Sequence, residues 1–386
     1  IPSQRNTTDE DFTNAVVQLD YTNPTDKGTS WEAGLKATFR INDANQQADS
    51  LDTETMTYVY NQGYSNHFIY NEKVLAAYFL YNGRIGKFDY NIGIRAEETL
   101  LDGDSKTQNK TFKRDYLSFF PSGALKFIPS VKNEWQFVFS RRINRPGTRA
   151  LNPFVDYSDP YNLRVGNPYL NPEYINSVEL SYSRLVNKIT LTSSLFYRHT
   201  SDVISHYREI IDEENTITLS QQRNYSSSQN MGAELVFRYE LGTGSNIMWS
   251  FNGFQNKVNA TNIGADLKSN NFSWNTRLTS NFKLAKGTFA QLTGFYMAPN
   301  YSPQGTFQGF SGLDAGLRQT ILKGKGTLTL NVSDIFNTRE FRIKSRFDNY
   351  QADIRRKRES RIATLTFSYR FGKFTDSNNN QRNKKN

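Results

Sequence analysis

Hydrophobic and polar positions alternate along this chain with a period of two. Over residues 30–42, Trp31, Ala33, Leu35, Ala37, Phe39 and Ile41 fall on one face, and Ser30, Glu32, Lys36, Thr38 and Arg40 on the other. Alternation sustained over such a stretch marks a strand with two unlike faces. The pattern returns in 88–96, 135–139, 178–182, 231–241, 247–251, 272–284, 313–317, 328–332 and 363–371, whereas helical windows are almost absent. Together these segments predict about fifteen strands, many of about 10–14 residues, where strands of soluble domains average about 5–6. A strand tilted by roughly 45° crosses the hydrocarbon of a bilayer in about 9–11 residues, with apolar side chains outward and polar ones facing a wet interior.

The connections alternate as well. Short links at 82–86, 129–132, 186–188, 242–244, 285–287 and 323–326 interleave with long ones at 43–70, 102–114, 145–173, 204–230, 256–270, 298–309 and 338–359. In outer-membrane barrels short turns face the periplasm and long loops face outside. The expected fold class is therefore all-β, a transmembrane up-and-down antiparallel β-barrel with about 14–16 strands in this chain. The first strand is expected at 14–22. Residues 1–12 are then an extracellular loop segment, 13–373 the barrel, and 374–386 a disordered polar periplasmic tail. A soluble sandwich or propeller is the competing architecture, and it does not readily explain strands this long without repeats.

Composition agrees with that reading. Hydrophobic residues make up only 37% of the 386 positions while aromatics reach 14%, which is poor material for a thick aliphatic core but suits strands with one lipid-facing side. The longest apolar run, 75–81, falls far short of the roughly 18–20 residues that a membrane-spanning helix needs. Aromatics gather near strand ends, for example Tyr58, Tyr60, Tyr81, Tyr197, Tyr296, Tyr369 and Phe371, as interfacial girdles would require, although Tyr and Phe are also good strand formers. The absence of Cys excludes disulfides, zinc–thiolate sites and a Cys nucleophile. Residues 1–6 lack the basic start and apolar stretch of a signal peptide.

The segment 140–173, SRRINRPGTRALNPFVDYSDPYNLRVGNPYLNPE, resembles the outer-membrane barrel domain of TonB-dependent receptors of the Bacteroidota type. LDYTNP at 19–24, AAYFLYNGRIGKFDYNIGIRAEET at 76–99, DYLSFFPS at 115–122 and NVSDIFN at 331–337 match the same scaffold, so the resemblance covers nearly the whole chain. It implies a 22-stranded barrel with an internal plug and a short TonB-contacting segment before it. Such a receptor captures a scarce ligand outside and imports it through the plug-gated barrel. The chain departs from this pattern in its strand number and in lacking a plug-like segment, so it is expected to be a C-terminal barrel portion. A structural or interaction barrel subunit of an outer-membrane complex, and an unplugged diffusion pore, are the alternatives.

Candidate contacts lie in the long loops. In 145–173, two Asn-Pro units and Pro146 stiffen the backbone, so the loop is expected to be ordered. It serves either as a gate and ligand contact or as a piece folded into the barrel mouth to hold shape, and Arg145, Tyr157, Tyr161 and Tyr169 are its candidate ligand-binding residues. The last loop carries Arg342 and Arg346 within a basic stretch that would attract anionic ligands or lipopolysaccharide phosphates, or stand simply as a solvated face. The three His form no metal-binding spacing, and no nucleotide-binding or nucleophile-elbow motif occurs. Glu97-Glu98 and Glu213-Glu214 are adjacent and would point to opposite strand faces. No catalytic residue, metal or cofactor is therefore assigned, and an enzyme is not expected. The expected partners are outer-membrane lipid and lipopolysaccharide, TonB through a plug outside this chain, an unidentified transported ligand and a surface lipoprotein. Nucleic acid is not among them, because barrel strands already account for the aromatics.

Overall fold

Among the described residues the alternating segments become a meander of fifteen antiparallel strands, most of them long. In the computed structural model the described residues are 3–25, 28–264, 267–347 and 350–371. The wall strands are β1 (Gln4–Pro24), β2 (Ser30–Asp52), β3 (Asn66–Ile85), β4 (Phe88–Ser105), β5 (Lys110–Ser130), β6 (Asn133–Asn144), β7 (Glu173–Val186) and β8 (Ile189–Asp212). They continue as β9 (Ile217–Gly242), β10 (Ser245–Asn259), β11 (Lys268–Ala285), β12 (Thr288–Met297), β13 (Phe310–Ile321), β14 (Gly326–Val332) and β15 (Ala363–Tyr369). Each pairs antiparallel with the next. Three short strands, Thr57–Tyr60, Val155–Asp156 and Asn162–Val165, attach to this sheet. Four more, Asn300–Ser302, Gly305–Phe307, Phe341–Phe347 and Tyr350–Arg356, make a second, separate sheet. Among the described residues no pairing joins β1 to β15, so the wall is open at those two edges.

The two faces of the wall differ as the alternation requires. Leu35, Phe39 and Ile41 on β2, Leu75 and Phe79 on β3, and Ile92 and Ile94 on β4 are exposed outward. Moving each such side chain from water to hydrocarbon is worth about 1.5–3 kcal/mol, so a row of them belongs in lipid. On the opposite face Phe68, Tyr70, Glu72, Glu97 and Thr99 are buried. A packed apolar cluster of buried residues, Phe68, Tyr70, Leu101, Leu151 and Leu170, joins β3 and β4 to the chain between β6 and β7. Aromatic pairs occur toward both ends: near the short turns ring centroids are 5.2 Å apart for Tyr21 and Trp31, 4.6 Å for Phe88 and Phe127, and 4.3 Å for Trp135 and Tyr182, and toward the long loops 4.9 Å for Trp274 and Tyr296 and 5.8 Å for Phe295 and Phe310.

Several boundaries differ from the sequence expectation in one consistent direction. β1 starts at Gln4, so residues 4–12, expected as an extracellular loop segment, are strand paired with 42–50. The long links expected at 43–70, 102–114, 204–230 and 256–270 shorten as flanking strands extend into them. Beyond the apolar band both faces of a strand meet water, so alternation stops while backbone pairing continues to satisfy N–H and C=O groups. For the same reason Tyr58 and Tyr60 do not belong to a girdle: they lie on the short strand Thr57–Tyr60, where the Arg5 guanidinium sits 5.1 Å from the Tyr58 ring. The expected disordered tail at 374–386 lies outside the described residues.

Candidate functional site

Between β6 and β7 the chain leaves the wall, crosses its interior and returns. Arg145 makes the first step. Its Nη2 donates to Glu97 Oε2 at 2.6 Å and Thr99 Oγ1 at 2.9 Å, and its Nε lies 4.0 Å from Glu72 Oε1. Glu97 also accepts from Arg95 Nε at 2.6 Å, and Glu72 from Arg40 Nη1 at 2.9 Å. Carboxylates and guanidiniums thus alternate along the inner face of β2, β3 and β4, and none of these buried acids is left without a cation. A single helical turn, Thr148–Leu151, then places Leu151 in the buried cluster.

The returning half is held by backbone contacts. The Gly166 N–H donates to Asn152 O at 2.9 Å and the Asn167 N–H to Ala150 O at 2.6 Å. The approach needs glycine, because a Cβ on Gly166 would overlap the Asn152 carbonyl and lie 2.8 Å from the Ala150 carbonyl oxygen. Strand Asn162–Val165 pairs parallel with 218–221 of β9. Arg114 on β5 donates to the Leu170 and Tyr169 carbonyls at 2.6 and 3.0 Å, and the Asn171 N–H donates to Asn224 Oδ1 on β9 at 2.8 Å. At the tip, the side chain of Asn162 and the Tyr161 N–H hold the Asp159 carboxyl below the usual carboxylate range. The segment is a strut tied to wall strands on both sides.

Beside the strut, at the long-loop end, lies a cavity of about 1120 Å³. Its walls are the ends of β1, β2 and β3, the strut, β8 and β9, and the second sheet. The second sheet is clamped across the mouth: the Gln304 amide accepts the Arg208 N–H at 2.9 Å and donates to Arg208 O at 2.8 Å, while Arg208 Nη1 donates to the Tyr350 hydroxyl at 3.3 Å. Arg149, Arg164, Arg208 and Arg356 face the cavity. So do Tyr64 and Tyr157, which meet edge to face with centroids 5.7 Å apart. His206 is held below its ordinary imidazole range by burial and by the charges of Arg164 and Arg208. Guanidinium donors, side-chain amides and an aromatic pair suit reversible capture of a polar solute. Among the described residues no group of three or more His, Cys, Asp or Glu is placed to hold a metal.

The candidate residues read from sequence do not form one site. Tyr157 lines the cavity, whereas Arg145 is bound into the carboxylate cluster of the wall. Tyr161 and Tyr169 are exposed and outside the cavity lining. Arg342 donates to Asp353 Oδ1 at 2.8 Å and Arg346 to Gln351 Oε1 at 3.5 Å, and neither faces the cavity. Of the four arginines that do face it, Arg356 belongs to the basic stretch of the last loop, whereas Arg149, Arg164 and Arg208 carry no signal in the sequence, because they come from separate polar stretches that only strand pairing and the clamp bring together.

An antiparallel meander in sequence order, apolar outside, with short turns at one end and long loops at the other, defines an outer-membrane β-barrel. The chain belongs to the Outer membrane protein beta-barrel family, whose model matches residues 2–369, and its place is the bacterial outer membrane. No curated relative matches it. Among solved structures it is similar to the ferric yersiniabactin uptake receptor FyuA from Yersinia pestis, at 16% identity over 96% of this chain and 56% of that one, with a TM-score of 0.64. It is also similar to the ferric citrate transporter FecA in its unliganded form, at 13% identity over 94% of this chain and 55% of that one, with a TM-score of 0.65. A third is BauA, the ferric preacinetobactin receptor from Acinetobacter baumannii, at 13% identity over 95% and 55%, with a TM-score of 0.60. At these identities the likeness is one of fold. The chain spans little more than half the length of these receptors.

Proposed function

We propose that this chain is the C-terminal barrel part of a TonB-dependent transport receptor. Its loop end captures a scarce ligand, and a plug contributed by the rest of the receptor gates import. The observation that carries this reading is the arginine-faced cavity, held between an internal strut and a clamped outer sheet on a receptor-type barrel. The open edges of β1 and β15, and the partial coverage of the solved receptors, support completion of the wall by further strands. Outer-membrane lipid and lipopolysaccharide surround the apolar face, and a surface lipoprotein is a proposed neighbour at the mouth. The mechanism is binding and gated passage, without covalent chemistry.

The test is genetic and energetic. Deleting the gene of the full-length receptor should abolish growth on one scarce nutrient, and removing TonB or collapsing the proton-motive force should reproduce that loss. Growth that survives in every limiting medium, or uptake that persists with a protonophore, would overturn the reading. Planar-bilayer recording separates it from a plug-free pore, because the pore would show large steady conductance where the receptor stays nearly closed.

A further inference from the structure

The two borders of the lipid-facing band differ in charge. Toward the long loops the outward face carries both signs, Lys73 and Arg141 with Glu98 and Asp115, in line with Leu75, Phe137, Ile94 and Leu117 of the same strands. At the short-turn end the nearest acids lie on the inward side and are engaged there. Asp89 pairs with Arg84, Glu134 with Lys126 at 2.8 Å and Glu240 with Arg238 at 2.6 Å, while Asp20 and Glu32 share the Tyr78 hydroxyl. The cations of the turns have no such partner. Lys87, Lys132, Lys188, Lys286 and Lys323 stand one in each of five short turns, all exposed. Among the described residues none of them lies within ion-pair distance of a carboxylate, and neither does Arg184, on the outward face of β7 one step beyond Tyr182.

A second feature, independent of charge, accompanies each lysine. Ile85, Val186 and Leu284 precede Lys87, Lys188 and Lys286 by two positions, and Val131 and Leu322 directly precede Lys132 and Lys323. All five are exposed, Ile85 at 69%, Leu284 at 63% and Val131 at 96%, so the protein itself does not cover them. Ile85 and Leu284 continue the outward rows of Phe79 and Tyr81 on β3 and of Leu278 and Phe282 on β11. The apolar band therefore runs down to the turns, and each lysine stands where hydrocarbon gives way to headgroups. The lysines are held at that level, because the turns at 86–87, 131–132, 187–188 and 286–287 have only two residues between paired strand ends. Gly86, Asn187 and Gly287 supply the positive φ of three of these turns, at 59°, 52° and 80°. Turn geometry asks for such residues and not for lysine.

A lysine stem lies along apolar surface while its ammonium reaches a polar layer, and basic residues at a membrane border attract anionic headgroups over about a Debye length. Short turns face the periplasm, so the layer they meet is the phospholipid leaflet on that side of the outer membrane. We propose that the periplasmic border of the barrel is a binding surface for anionic phospholipid. The turn lysines and Arg184 contact the headgroup phosphates, and the neighbouring apolar side chains lie against the first carbons of the acyl chains. Cations left over after every nearby acid is engaged favour a headgroup of net negative charge over a zwitterionic one.

The experiment places the purified full-length protein in dodecyl maltoside with dioleoylphosphatidylglycerol or dioleoylphosphatidylcholine and counts the retained lipids by native mass spectrometry. The anionic lipid should bind at least about fivefold more tightly at low salt, and the preference should shrink as salt rises. K132Q/K188Q/K286Q/K323Q should lose most of that preference, K188Q and K286Q taken singly should each lose part, and K73Q at the opposite border should keep it. Lys87 is left in place because its Nζ also donates to Pro129 O at 3.0 Å. Retained heat-modifiable migration shows that the variants are folded. Equal retention of the two lipids, or a preference unchanged in the folded lysine variants, overturns the proposal. Equal retention together with lysine-dependent binding of soluble polyglutamate would overturn it in favour of an acidic periplasmic polypeptide at the same border.

Discussion

Two long segments at the same end of the barrel, 145–172 and 333–362, solve the problem of an exposed chain in opposite ways. The first turns inward and satisfies itself on the wall, through Arg145 on Glu97, Arg114 on two carbonyls, and Leu151 and Leu170 in the buried cluster. The second folds over the mouth as the hairpin Phe341–Phe347 with Tyr350–Arg356, held mainly by its own strand pairing, by Gly305–Phe307 and by its surface pair Arg342–Asp353, with Tyr350 tied to Arg208 of the wall. Its root is a single buried acid, Asp334, which accepts the Thr338 N–H at 2.9 Å and the Arg339 N–H at 3.0 Å. Charge alone does not separate the two segments, since both are rich in arginine. What separates them is whether an arginine finds a buried acid or an exposed one, because burial removes the water that would otherwise replace a lost partner.

That contrast can be broken most forcefully at Arg145. Arg145→Ala leaves Glu97 with Arg95 alone and unties the strut, and a loss of about 3–5 kcal/mol is expected, read as a lower urea midpoint of the folded barrel. A change comparable to that of an exposed pair would mean that the strut is held by its backbone bonds instead. Gly166→Ala tests those bonds directly. The clash with two carbonyls should cost about 1–3 kcal/mol and deform the cavity, so proteolysis near 150–165 should quicken while the wall keeps its circular dichroism. On the outer hairpin, Arg342→Ala should leave stability within the scatter of the same urea titration, because water replaces the lost partner of an exposed pair. The smallest effect is expected in acid. The hydrogen bond from Arg342 holds the Asp353 carboxyl below its ordinary value, so its contribution to the hairpin is complete above the unfolded carboxylate pKa of about 3.9. It is lost as pH falls through the lowered folded value. Protease sensitivity of the hairpin should therefore be flat from neutral pH to about pH 4 and rise only below that; an increase already at pH 5–6 would contradict the pairing.

The wall was readable from sequence because lipid and water impose a period of two on every crossing strand. Leu35, Phe39 and Ile41 show it plainly, and the strand number follows from counting such runs. Strand ends were not readable, since residues 4–12 and 42–50 pair in water, where neither face must be apolar. The strut was partly legible: Pro146 and the Asn-Pro units mark an ordered loop, and the structure orders it. The cavity was not legible, because Gln304 reaches Arg208 across 96 positions of sequence and no local pattern announces such a contact. Arg145, a candidate contact by its place in a loop, instead lies against acids of β3 and β4 that nothing in its neighbourhood of sequence reveals.

The unequal height of the wall has its own consequence. β9 runs for 26 residues, roughly 85 Å at about 3.3 Å per residue. Tilted by about 40–45°, it rises roughly 60 Å, more than twice the ~25 Å apolar band. β14 and β15 have only 7 residues each, and the second sheet stands where these short strands stop. On the side of β9 the rim is thus lifted well clear of the bilayer, and on the side of β14 and β15 a separate sheet adds the height that these strands lack. A rim of that height stands well above the lipid surface rather than at it. A bulky partner approaching from outside would therefore meet this protein before it met the membrane.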